Sequence, residues 1–208
     1  MRHTLAFLFF MGCAPFVAAQ GDPAAGKLKS DTERCQECHG SDGNGDMGDG
    51  VGNLGKFPKL AGQKAEYLIK QLQDFRAGER KNDDQMPMMA KSISDADMAD
   101  ISAYFASLPV MRGEKSAADL EKGRKLYMKG DPERYILPCQ SCHGEAGRGG
   151  ADETIPSVGG QHRRYLVKQL SEFKKTVRQN SPDAMNQIAA ALSDEEIEAL
   201  ADYLAAQE

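Results

Sequence analysis

CQECHG, residues 35–40, returns as CQSCHG at residues 139–144, and the repetition extends well beyond these six positions. FPKLAGQKAEYLIKQLQDFRAG from Phe57 is echoed by IPSVGGQHRRYLVKQLSEFKKT from Ile155. SDADMADISAYFASL from Ser94 is echoed by SDEEIEALADYLAAQ from Ser193, and Gly26-Lys27 by Gly123-Arg124. The offsets are 97, 104, 98 and 99, so the copies differ by an insertion before the second cysteine pair and a deletion after it. Only two copies with so long a period make a tandem domain pair, not a solenoid. The boundary falls in SLPVMRGEKS, where Pro109 and Gly113 interrupt the pattern. We therefore divide the chain into a leader (1–19), a first unit (20–110) and a second unit (111–208).

The leader sets the redox setting of the cysteines. Arg2, an apolar run from Leu5 to Met11 continuing through Val17, and small residues at Ala18-Ala19 have the layout of a cleaved secretory signal peptide. Gly12 and Pro15 interrupt a run already short for a membrane anchor. The residues around Cys13 fit a lipoprotein signal poorly. An exported, periplasmic chain follows, in a compartment where simple cysteine pairs oxidise. Removal of the leader leaves Cys35, Cys38, Cys139 and Cys142.

Net charge is −5, or −6 once Arg2 leaves with the leader, with acids and bases interspersed and −3 in each of residues 20–112 and 113–208. Nucleic-acid binding, which needs a concentrated basic face, is not expected.

Within each unit the hydrophobic period is helical and no strand pattern competes. Asp22-Pro23 and Ser116 read as helix starts. Ser94 with Asp97, and Ser193 with Glu196, have capping-box spacing. Tyr67, Leu68, Leu72 and Phe75 stripe one helix face, as do Tyr165, Leu166, Leu170 and Phe173; both stripes read as core, not as a cofactor wall. Yet a unit of about 90 residues with no tryptophan and few aromatics buries little apolar surface, and something else should fill its centre.

The cysteines point to what that is. Residues i and i+3 of a helix share a face, so Cys35 and Cys38 can reach one planar ligand with His39 just beyond. C-x-x-C-H is the attachment pattern of c-type haem: two thiols join the vinyl groups and the histidine ligates the iron. Two copies at equivalent places imply two covalently bound haem c groups, on Cys35, Cys38 and His39 and on Cys139, Cys142 and His143. A zinc ribbon needs its cysteine pairs closer together, and a redox pair needs a thioredoxin-like sheet. Calcium is disfavoured because Met47 and Asn53 stand where an EF-hand loop needs Gly and Glu.

A second axial ligand follows by elimination. Only His162 remains after the two proximal histidines, so bis-histidine ligation cannot serve both haems. Met185 is the only methionine after the second haem motif and precedes Ser193 by eight residues; Met86 precedes Ser94 by the same interval. Met86 and Met185 are the expected ligands, with Met88 and Met89 competing at the first iron. His162, replaced by Lys64 in the first copy, is expected on the surface. His/Met ligation raises the potential and leaves no open iron position, which favours electron transfer over substrate activation.

Two C-x-x-C-H-G motifs, each followed by P-x-x-x-G-Q-x-x-x-Y-L-x-K-Q-L and then by Met and Ser-Asp, resemble the dihaem cytochrome c4 family over essentially the whole exported chain. The resemblance implies an all-α fold of two tandem class I cytochrome c domains, face to face about a pseudo-two-fold axis, with the haem propionates near the interface. It also implies that the carbonyls of Pro58 and Pro156 hold the proximal imidazoles. A soluble, monomeric electron carrier is implied, passing electrons from a donor cytochrome or dehydrogenase to an acceptor such as an oxidase, with transient docking at a membrane complex. Two other classes are a dihaem redox enzyme (a peroxidase or thiosulfate dehydrogenase) and the haem subunit of a flavocytochrome c sulfide dehydrogenase.

Overall fold

The computed structural model describes residues 21–45, 55–116, 118–181 and 184–208; the leader, Cys13, Met47 and Asn53 lie outside them. Among the described residues the regular structure is helical, with one isolated bridge between Asp131 and Ile136. The first unit contains α1 (Pro23–Thr32), α2 (Gln36–His39), α3 (Ala65–Ala77), α4 (Met86–Ser92) and α5 (Asp95–Ser107). The second contains α6 (Glu121–Lys129), α7 (Gln140–His143), α8 (Arg163–Lys174), α9 (Ala184–Ala190) and α10 (Asp194–Ala205), in the same order.

Local chemistry sets the helix ends. Asp22 caps α1 by accepting the Ala24 N–H, with Pro23 at the first turn. Ser94 accepts the Asp97 N–H at 3.1 Å, and Ser193 with Glu196 forms a full reciprocal box. Ser116 does not start a helix. Its hydroxyl accepts the Ala118 N–H at 3.1 Å in a local turn, and the Asp119 carboxylate receives the Glu121 N–H at 3.0 Å where α6 begins.

In each unit the first and last helices cross at a glycine. An added Cβ on Gly26 would stand 1.9 Å from the Asp100 carbonyl oxygen of α5, and one on Gly123 would stand 2.0 Å from that of Ala199 on α10. Backbone cannot yield there as a flexible side chain can. Gly123→Ala is therefore expected to cost about 1–3 kcal/mol or more by overpacking, read as an earlier denaturant midpoint of the second unit.

Each unit has its own apolar core. Leu68, Phe75, Ala90, Ile93, Met98, Ile101 and Phe105 form the first, and Leu126, Tyr127, Leu166, Ile197, Leu200 and Leu204 the centre of the second. Irregular segments repeat as faithfully as helices do. Gly62 N–H donates to the Phe105 carbonyl and Gly160 N–H to that of Leu204; Gly43 and Gly147 each accept two successive N–H groups from the segment leading to the long helix.

The units meet through polar groups repeated at one interval of 98 residues. Gln63 donates to the Ser157 carbonyl (2.8 Å) and accepts the Ser157 N–H (2.9 Å). Gln161 does the same to Lys59, at 2.9 and 2.8 Å. Each glutamine thus satisfies both backbone groups of one residue in the opposite unit, as a neighbouring strand would.

Candidate functional site

The turn after α1 feeds Cys35 into α2, whose single turn carries Cys38 and His39 on the side facing the core. His39 is buried, and its Nδ1–H donates to the Pro58 carbonyl at 3.0 Å; His143 repeats the bond to Pro156 at 2.9 Å. A carbonyl can only accept, so the proton is on Nδ1 and Nε2 keeps its lone pair. Burial pushes both imidazoles below the usual histidine range, which keeps them neutral. A neutral ring with Nδ1 anchored and Nε2 bare is prepared for a metal.

Around His39 lies a cavity of about 440 Å³. Cys35, Cys38, Pro58 and Met86 line it, with Tyr67, Leu68, Leu72 and Phe75 of α3 and Ile101 and Phe105 of α5. The apolar stripe of α3 therefore both packs the core and walls this cavity, which corrects its reading as core alone. A large flat apolar group fits this space: two thiols and an imidazole converge on it. The buried hydroxyl of Ser102, without a hydrogen-bond partner, also lines it.

None of the four cysteines is in a disulfide. Burial raises the Cys35 thiol and pushes Cys139 up to about 11, so both are protonated at neutral pH, unlike the thiolates of redox-active pairs.

Met86 is half-buried at the start of α4 and packs on the first core, whereas Met88 is 68% exposed. Met88 and Met89 also line the cavity, and Met89 is 36% exposed. Met185 is half-buried in the first turn of α9, the equivalent helix.

The cavity does not close within its own unit. Pro156, Gln161, Tyr165 and Gln169 of the second unit line its far end. There Arg80 and Arg178 are both buried. Arg80 donates to Asn82, Gln71, Tyr165 and Gln169; Arg178 donates to Asn180, Gln169, Tyr67 and Gln71, at distances from 2.6 to 3.2 Å. Each guanidinium also stacks over a phenylalanine, Phe75 at 4.4 Å and Phe173 at 4.5 Å. Burial alone would raise the Tyr67 hydroxyl, but the two guanidiniums outweigh it and bring it below the ordinary tyrosine range. The sequence reading passed over this cluster. Its signal was the recurrence of Tyr67, Gln71, Arg80 and Asn82 at Tyr165, Gln169, Arg178 and Asn180.

His162 is the clearest departure from expectation. It is buried, not on the surface, with Nδ1 2.5 Å from Glu114 Oε1 and Nε2 3.0 Å from the Asn44 carbonyl of the opposite unit.

The Cytochrome c family model matches residues 23–109 and 120–208. The chain is 39% identical to cytochrome c4 of Thiocapsa roseopersicina over 88% of its length and 92% of that protein's. It is also 39% identical to the thiosulfate dehydrogenase electron acceptor of Stutzerimonas stutzeri, over 82% of this chain and 77% of that protein. The crystal structure of reduced recombinant cytochrome c4 from Pseudomonas stutzeri superposes with a TM-score of 0.77 at 37% identity, covering 90% of this chain and all of that one. With two tandem cytochrome c domains related by pseudo-two-fold symmetry, and two covalently bound haem c groups, this chain belongs to the cytochrome c4 family of dihaem electron-transfer proteins.

Proposed function

We propose that the protein is a periplasmic, monomeric electron carrier in which His39 with Met86 and His143 with Met185 are the axial ligands, and Cys35, Cys38, Cys139 and Cys142 the thioether anchors. The observation that carries this reading is the repeated His-to-proline-carbonyl bond, which leaves one bare imidazole nitrogen beside two thiols in each unit. When bound, the haem supplies reversible ferric–ferrous electron exchange. The residues hold it and tune it. Pro58 and Pro156 fix the tautomer and ring angle of the histidines and raise their basicity. Thioethers from Met86 and Met185 favour the reduced state and close the sixth position. Arg80 and Arg178, answered by amides and phenols within the cluster, have the charge to hold haem carboxylates at the interface.

Redox proteins are its partners. A respiratory or sulfur-oxidising dehydrogenase is the proposed donor and an oxidase the proposed acceptor, a reading supported by the similarity to an electron acceptor of thiosulfate dehydrogenase. No helix among the described residues is long and apolar enough to cross a membrane, which is compatible with an exported carrier that docks transiently. The small, evenly divided net charge gives partners weak steering at physiological salt, where screening sets in beyond ~8 Å.

Optical potentiometric titration of the purified holoprotein tests the reading. Two high-potential, low-spin steps are expected, and the ferrous protein should leave the Soret band unmoved under carbon monoxide at neutral pH. Ready ligand binding would instead identify a dihaem enzyme, and co-purification with a flavoprotein would identify a flavocytochrome subunit.

A further inference from the structure

Lys64 and His162 occupy the same place in the two units, directly after Gly-Gln and before α3 and α8, and each reaches out of its own unit. Lys64 Nζ donates to the carbonyls of Gly150 (2.5 Å) and Asp152 (2.8 Å), in the loop that follows His143. His162 Nε2 donates to the carbonyl of Asn44, in the loop that follows His39. Both loops are tied back to the proximal histidine by one backbone bond. Gly45 N–H donates to the His39 carbonyl at 2.8 Å, and Gly149 N–H to that of His143 at 2.7 Å. Those two glycines are also where the foreign side chains press closest: an added Cβ would stand 3.1 Å from His162 Nε2 at Gly45 and 2.6 Å from Lys64 Cε at Gly149.

We infer that Lys64 and His162 are reciprocal positioning residues, each setting the haem loop, and through it the proximal histidine, of the opposite unit. The second unit thereby tunes the first haem, and the first unit tunes the second. This rests on the haem reading above and extends it.

The two grips differ in chemistry. A lysine donates to two carbonyls with one charge. His162 faces a carbonyl on Nε2, which must therefore donate, and a carboxylate on Nδ1. Other charged groups facing His162 and Glu114 are Lys59, whose Nζ is 3.6 Å from Glu114 and donates to the Arg112 and Gly160 carbonyls, and Asp42 and Arg112, which line a second, separate cleft together with them. Arg164, two residues on in the first turn of α8, lies against Gly55, and Glu153 is 3.7 Å from Lys64. The His162 hydrogen bond, with help from Lys59, holds the Glu114 carboxyl below the usual carboxylate range.

Holoprotein variants His162→Ala, His162→Lys and Lys64→Ala, each confirmed by mass to carry two haems, test this by redox titration with NMR, assigning haem-methyl resonances to each unit. His162→Ala should shift the first haem's midpoint and leave the second's in place; Lys64→Ala should do the reverse. His162→Lys, which puts in this place the residue that grips the second loop, should restore most of the first midpoint. A shift confined to the haem of the substituted unit, an equal shift of both haems, or none would overturn the inference. Failure of the haem reading itself would already show in the unsubstituted protein, as a missing haem mass or a high-spin spectrum.

Discussion

Serine at both Cys35 and Cys38 is expected to yield a chain with one haem whose first unit does not fold. The reason is volumetric. The cavity around His39 is about 440 Å³, and at ~24 cal/mol per Å³ an empty space of that size costs about 10 kcal/mol. That is comparable with the whole stability of a domain, ~5–15 kcal/mol. The flanking core cannot offset it. Leu68, Phe75, Ile101 and Phe105 reach the cavity wall on one side and the core on the other, so collapse would have to break the α3–α5 packing. Intact mass should show one haem, and far-UV circular dichroism should lose close to half of the helical signal. A haem-free first unit with native helicity would contradict the assignment of this space to the cofactor.

Substitution of the axial methionines gives the second large effect. Met185→Ala should convert the second haem to a high-spin form that binds carbon monoxide, with its midpoint falling by on the order of 0.1 V or more, within the ~0.8 V that axial ligands command. At the first haem the same outcome is expected for Met86→Ala alone. Met88 is 68% and Met89 36% exposed, whereas Met86 packs on the first core, so alanine at either of the two should leave the low-spin spectrum in place. A high-spin spectrum from Met88→Ala or Met89→Ala, with Met86→Ala silent, would reassign the ligand.

The features that could be read before any coordinates were those whose causes are local. A proline after Asp22, a serine three residues before an acid and a cysteine pair at helical spacing each fix geometry within one turn. Duplication then doubled every signal. What escaped depends on partners far along the chain. His162 looked solvent-facing because its counterpart is a lysine, whereas its burial comes from Asn44, 118 residues away, and Glu114 in the connection. Arg80 and Arg178 carried no reading at all, since periodicity cannot show that α3 and α8 from different units bury them together. Tyr67 and Phe75 carry the same lesson in milder form. An apolar stripe reports that a face is covered, without saying whether protein or porphyrin covers it.

The paired glutamines have a consequence for descent. Because Gln63 grips Ser157 and Gln161 grips Lys59 through identical bonds, one patch recognises its own duplicate, the defining property of an isologous dimer. A single unit carrying this patch would offer the same bonds to a second copy of itself. Gene fusion added only a tether, which replaces a concentration-dependent encounter with an intramolecular one and frees the two copies to diverge, as lysine and histidine have done at one shared position.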